Sequence, residues 1–228
     1  MDVGKAAIAA SLMRHENQEW IVDSPDWYRR LFSEMTDAKS FSANQLGIVT
    51  FNYDRSLEYF FTRCLPSRYH VTPEKAVEWF SKIPIVHLYG SLGALPEYSS
   101  TGRAYGKGGS DAIIAASQGI HLARGGADPE TFATARQMMS KASRIIVIGF
   151  GFEKINSARL GLMEFASSAQ IYATTYKMCR VDQAVIQATH PPYKTPDEPE
   201  YSEDPYVEWF DGNALAFMEH HGIANPVE

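Results

Sequence analysis

The chain has 228 residues, 45% of them hydrophobic and 12% aromatic, enough to bury one sizeable core in a single domain over residues 1–228. Its 21 Lys and Arg against 27 Asp and Glu give a net charge of −6, with no basic stretch of the kind that tracks phosphates, which sets direct nucleic-acid binding aside. Cys64 and Cys179 alone make neither a disulfide framework nor a four-cysteine zinc site, and no apolar run nears the roughly eighteen residues of a membrane span. With no cleavable signal pattern at its start, the chain reads as a soluble, cytoplasmic protein without a metal.

In chain order, apolar spacing predicts helices over Val3–His15 and Asp26–Met35. "GIVTFNYD" is the first strong strand, "SLEYFFTRCL" the helix after it, "SRYHVT" a short strand and "EKAVEWFSK" another helix. "IPIVHLYGSLG" is the second strong strand. Residues 94–128 are Gly-, Ser- and Tyr-rich and read as a loop or insert over the site. "PETFATARQMMSKAS" is helical, "RIIVIGFGFEKIN" the third strong strand, "SARLGLMEFASSA" a helix, "QIYATTY" a strand and "RVDQAVIQATH" a helix. A proline-rich acidic loop, "PPYKTPDEPEYSEDP", precedes a last strand and helix in "YVEWFDGNALAFMEHHG". There is no internal repeat.

Near-continuous apolar strands alternating with helices predict an α/β fold, a Rossmann-like parallel sheet covered by helices on both faces. Such sheets hold ligands beyond the carboxyl ends of their strands, where this sequence turns polar. Asn52, Asp54 and Arg55 follow the first apolar run within a few positions. While the strand stays extended, period-two alternation puts Asn52 and Asp54 on one face, and in the second strand His87 and Tyr89 on a common face. A buried amide beside a carboxylate needs partners, so the pair is either a structural hydrogen-bond knot or a ligand site. His87 is either a satisfied structural histidine or a general base near pH 7. Gly149 and Gly151 would let a ligand approach the backbone, with Asn156 capping the following helix. Their spacing lacks the third glycine of the dinucleotide fingerprint.

In this order, "TFNYD" (Thr50 to Asp54), "HLYGS" (His87 to Ser91) and "IVIGFGF" with Asn156 resemble the sirtuin superfamily, in particular the sirtuin-like domains of bacterial antiphage defence systems. The resemblance covers about residues 40 to 180. It implies a Rossmann-like fold that binds NAD and breaks its nicotinamide–ribose bond. Asn52 and His87 would be the catalytic residues, Asn52 orienting a water or the ribose hydroxyls and His87 acting as the base. Thr50, Asn52, Asp54, Tyr89, Gly90, Ser91, Gly149, Gly151, Phe152 and Asn156 would line the NAD site, the Gly149–Gly151 turn lying at the adenosine half.

Three departures shape the expected function. Two cysteines cannot build the family's four-cysteine zinc lobe, which turns the expectation from a deacylase to an NAD glycohydrolase. Tyr89 stands where the family places its histidine before Gly-Ser, and a phenol is a poor base at pH 7. His87, two residues earlier, is the substitute. The glycine-rich turn that cradles pyrophosphate has no counterpart before residue 47, so either the sequence lacks its first βα unit at the N-terminus, the cradle is lost, or a partner chain supplies it; a central strand missing from a parallel sheet leaves two edges bare, which favours the first. The alternative is a catalytically inactive nucleotide sensor or scaffold within a larger complex. Expected partners are NAD, a second copy of the chain or a defence-system protein. "GRAYGKGGSD" lacks phosphate-loop spacing, and His220–His221 read as surface rather than metal ligands.

Overall fold

The computed structural model describes residues 2–23, 26–35, 41, 44–106, 108–123, 128–166, 168–189 and 207–222. The chain divides into two compact units, Met1–Thr131 and Phe132–Glu228, and each is described by itself.

The first unit opens with helices α1 (Val3–Arg14), α2 (Gln18–Asp23) and α3 (Trp27–Glu34). Asp2 caps α1 by accepting the N–H groups of Gly4 and Lys5, and Asp26 caps α3 by accepting those of Tyr28 and Arg29. The short α2 carries no sequence signal of its own. Strand β1 (Ile48–Thr50) leads into α4 (Ser56–Tyr69) and α5 (Pro73–Phe80), then β2 (Ile85–His87). Thr72 caps α5 and Pro73 takes its first position, where the missing N–H costs nothing. β1 and β2 pair in parallel, Ile48 opposite Ile85 and Thr50 opposite His87. Helix α6 (Ser110–Gln118) lies inside the 94–128 stretch that composition presents as loop, and packs its Ala116 with Ala9 and Met13 of α1.

The expected strand over "SRYHVT" does not form. α4 continues through Pro66 to Tyr69 and stops at His70 in the left-handed conformation. Tyr69 sits against Phe32, Phe41 and Trp79, and this packing outweighs the helix-breaking tendency of the proline. The same aromatic cluster holds α4 in place: Phe60 and Phe61 are fully buried, and Phe61 stacks on Phe80 at 4.6 Å while meeting Phe32 edge-on.

The second unit contains the end of α7 (Pro129–Met139), then β3 (Arg144–Val147), α8 (Lys154–Leu160), β4 (Gln170–Thr174), α9 (Arg180–Thr189), β5 (Val207–Phe210) and α10 (Ala214–His221). β4 lies between β3 and β5 and pairs with both in parallel. It is buried from Ile171 to Thr174, as a central strand covered on two faces must be. The helix expected over "SARLGLMEFASSA" starts earlier and is cut by Gly161, which caps α8 at φ 63° and leads into a 3-10 turn, Leu162–Phe165. "PPYKTPDEPEYSEDP" lies outside the described residues.

The chain is therefore α/β with parallel strand pairing, in hydrogen-bonded ladders β1-β2 and β3-β4-β5 among the described residues. No described helix is long and apolar enough to cross a membrane. Phe61→Ala removes a ring with no solvent exposure and should lower unfolding free energy by about 3–5 kcal/mol, read from a urea titration.

Candidate functional site

Thr50 is the last residue of β1, and its Oγ1 accepts the N–H of Asn52 at 3.0 Å. The strand ends there, so the expected sharing of a face by Asn52 and Asp54 does not arise. Asn52 is exposed, while Asp54 turns toward α4 and accepts the N–H of Ser56 at 3.0 Å together with the Ser56 hydroxyl. Because a carboxylate only accepts, the Ser56 hydroxyl is the donor in that bond. Its oxygen is then left to accept from Tyr28 O–H at 2.6 Å. Burial raises the Tyr28 pKa, against the Ser56 bond and with the charges of Asp54, Asp26 and Glu58, and this keeps the phenol protonated as the donor.

Arg55 has a different task from a ligand contact. It is 1% exposed; its Nε and Nη2 donate to Glu16 Oε1 at 2.9 and 2.6 Å, and its Nη1 donates to the carbonyls of Ala94 and Arg103 at 3.0 and 2.7 Å. Arg103 donates to both oxygens of the same carboxylate, at 2.7 and 2.9 Å, and the Gly106 N–H adds 3.0 Å to Oε2. Glu16, itself buried, thus receives donors from two guanidiniums and a backbone amide. Burial pushes its pKa up, but the bonds from Arg103, Gly106 and Arg55 outweigh this and hold it below the usual carboxylate range.

His87 ends β2, directly opposite Thr50. Its Nδ1 lies 2.8 Å from the Asn52 carbonyl oxygen and its Nε2 2.9 Å from Glu58 Oε1. A carbonyl only accepts, so Nδ1 carries a proton; Nε2 then faces a carboxylate, which favours a second proton over a lone pair. Burial opposes the charge, yet the hydrogen bond and charge of Glu58, the Asn52 carbonyl and Asp54 together raise the His87 pKa above its ordinary value. In this arrangement both ring nitrogens face protein oxygens rather than a water or a sugar hydroxyl. General-base work by His87 would require it to leave one of these partners.

The expected common face of His87 and Tyr89 is likewise lost, because β2 ends at His87 and a turn follows, Gly90 N–H to His87 carbonyl at 3.1 Å. Tyr89 is buried; its carbonyl accepts the His121 N–H at 2.9 Å and its ring lies against Phe51 at 5.9 Å. Gly90 has φ 77° and bridges to Ile120, and a Cβ there would lie 1.9 Å from the Gly119 carbonyl oxygen. Its glycine is required by packing inside the unit, whatever ligand it meets. Ser91 Oγ accepts the Gly93 N–H at 3.3 Å.

The remaining expected residues lie in the second unit, beyond the carboxyl end of β3. Gly149 has φ 64° and donates its N–H to Thr174 Oγ1 at 3.1 Å. A Cβ built on Gly149 or Gly151 meets no atom of the described residues within 4 Å, so these leave open space beside the backbone, as close approach of a nucleotide would need. Phe152 is buried at φ 51°, its ring against Phe150 and Trp209. Asn156 is not the cap of α8: Glu153 is, accepting the Asn156 N–H at 3.0 Å. That carboxylate occupies the seat that a phosphate would take at a helix N-terminus, so the open backbone fits a nucleotide and the end of α8 does not fit its phosphates.

Among the described residues, no group of three or more His, Cys, Asp or Glu is placed to hold a metal ion. The partners that sequence reading misses are Glu58, Glu16, Arg103, Tyr28 and Ser56. Ser56 and Glu58 follow Asp54 closely and read as ordinary first-turn helix residues. The others lie 28 to 87 positions from their partners, with no spacing to reveal them. No family model, no curated protein and no solved structure matches the chain.

Glu16→Gln leaves the buried Arg55 and the partly buried Arg103 guanidiniums without their counter-charge and should cost about 3–5 kcal/mol of unfolding free energy in denaturant titration. In the unmodified chain the Glu16 contribution is present above the unfolded carboxylate pKa and lost as pH falls through the lower folded value, so acid unfolding should lose steepness in the variant. Gly90→Ala, strained at positive φ and in collision with the 119 carbonyl, should lose about 2 kcal/mol or more by the same measurement.

Proposed function

We propose that the chain is a sirtuin-like, NAD-binding domain that breaks the nicotinamide–ribose bond of NAD, an NAD glycohydrolase serving antiphage defence in the cytoplasm. The observation that carries this reading is the side-by-side arrival of the β1 and β2 carboxyl ends in the first unit, Thr50 beside His87, with an exposed Asn52 just beyond them. In parallel α/β folds that is where ligands bind. The amide of Asn52 would hold a ribose hydroxyl or a water.

The reaction asks little of a base. When the C1′–N bond breaks, its electron pair goes to the pyridinium nitrogen, nicotinamide leaves neutral, and positive charge passes to the ribose. Water adds to C1′ and its surplus proton goes to solvent. Rate enhancement then comes from holding the sugar and water in place and surrounding developing positive charge with oxygen ligands and carboxylates. Self-assembly of the chain, or association with a defence-system partner, belongs to the same reading.

A second reading, an inactive nucleotide sensor or scaffold, is favoured by His87, whose two ring nitrogens already face the Asn52 carbonyl and Glu58. The two readings separate by measuring NAD binding and nicotinamide release side by side. Release by the unmodified chain that falls by about 100-fold or more in Asn52→Ala, with folding intact, is the outcome expected for a glycohydrolase. Binding without release supports the sensor, and neither binding nor release refutes both.

A further inference from the structure

We infer that Glu58 is a positioning residue: it keeps His87 as an imidazolium, and through the Nδ1–H of that ring it fixes the Asn52 peptide at the end of β1. The inference rests on reading Asn52 as the residue that meets substrate, and it changes the part played by His87 from base to tether.

The geometry runs in one line. Glu58 Oε1 lies 2.9 Å from His87 Nε2, and His87 Nδ1 lies 2.8 Å from the Asn52 carbonyl oxygen, so the ring spans from the first turn of α4 to the chain beyond β1. The Asn52 carbonyl can only accept, and a ring that also donates to the Glu58 carboxylate must carry two N–H groups. The pair is largely shielded, His87 being 14% and Glu58 21% exposed at the side chain, which strengthens a charge-assisted bond relative to one in water.

The charged and titratable surroundings agree. Asp54, in the turn between β1 and α4, adds negative charge near His87, and burial alone opposes the cation. The charge of Glu58 is also felt by the Arg55 guanidinium and by the phenols of Tyr98 and Tyr28. Arg55 pairs directly with Glu16 at 2.6 Å, whereas the ion-pair partner of Glu58 is His87 at 2.9 Å. Glu58 is thus left as the near counter-charge of His87.

The sign of the pH dependence follows. A histidine whose folded pKa is raised contributes stability that is complete below the unfolded pKa and lost as pH rises through the folded one. The neutral ring would keep one N–H for two acceptors and present a lone pair to either the Asn52 carbonyl or the Glu58 carboxylate. Anything that depends on the Asn52 peptide should therefore weaken on the alkaline side of the His87 transition. A catalytic base gives the opposite slope, with activity rising as its proton leaves.

The test is a nitrogen-detected NMR titration of the ring-labelled full chain, His87 being assigned by its absence in His87→Gln. Two protonated ring nitrogens at pH 7, and a midpoint lowered by about one pH unit or more in Glu58→Gln, are expected. A His87 that is neutral at pH 7, or a midpoint unmoved in Glu58→Gln, overturns the inference. Should Glu58→Gln fail to fold, the titration of the unmodified chain decides alone, a singly protonated ring at pH 7 being the overturning result. NAD binding and nicotinamide release followed across the same pH range should fall as pH rises through the His87 midpoint; a rise there makes His87 the base and overturns it as well. Absence of nicotinamide release at every pH defeats the glycohydrolase reading while leaving the NMR result standing, so the two failures are told apart.

Discussion

The first unit is organised around one buried carboxylate. Glu16 lies just past α1, Arg55 between β1 and α4, and Arg103 in the long segment before α6, and the three meet with almost no solvent exposure of Glu16 and Arg55. A charge taken out of water at this depth is tolerable only when its hydrogen-bonding capacity is met. Here Glu16 is met by two guanidiniums and the Gly106 amide, and Arg55 in turn takes the carbonyls of Ala94 and Arg103. Three stretches far apart in sequence are thereby held to one another at the end of a parallel strand pair. Tyr105, stacked on Tyr59 at 4.1 Å, seals the same segment with apolar contact.

This arrangement divides the polar residues after β1 into two kinds. Arg55 and Asp54 face inward, the first to Glu16 and the second to Ser56, whose hydroxyl in turn meets Tyr28, and they shape the turn into α4. Asn52 alone of this group is exposed. Its backbone is held on both sides, the N–H by Thr50 and the carbonyl by His87, so an exposed amide projects from a rigid base. That combination suits a group that must orient a substrate without reorganising. It also explains why β1 and β2 are short as strands: beyond Thr50 and His87 the chain trades ladder bonds for side-chain bonds, although Leu88 and Leu92 still donate to the carbonyls of Thr50 and Tyr53.

In the second unit the same polar turn after a strand has another outcome. Gly149 and Gly151 leave the backbone open, while Phe152 folds back onto Trp209 and Glu153 closes the N-terminus of α8. A carboxylate at that end satisfies the helix itself, through the Asn156 N–H, and repels an incoming anion.

Most helices and all five strands among the described residues were legible as patterns of apolar residues, because burial of a helix stripe or of a two-faced strand imposes its period directly on the sequence. Parallel pairing was legible too, from strands such as "RIIVIG" and "QIYAT" that are apolar on both faces. What could not be read was where each strand would stop. The alternation that placed Asn52 with Asp54, and His87 with Tyr89, holds only while the backbone stays extended, and the strands end at Thr50 and His87. Pro66 and Gly161 mislead in opposite senses, the one tolerated inside α4 because Tyr69 is packed beyond it, the other ending α8. The sequence by itself determined the α/β class and which short segments carry polar groups at strand ends. Only the tertiary structure decided their partners, because Glu58 reaches His87, and Glu16 reaches Arg55 and Arg103, across separations of 29, 39 and 87 residues, over which no local pattern constrains contact.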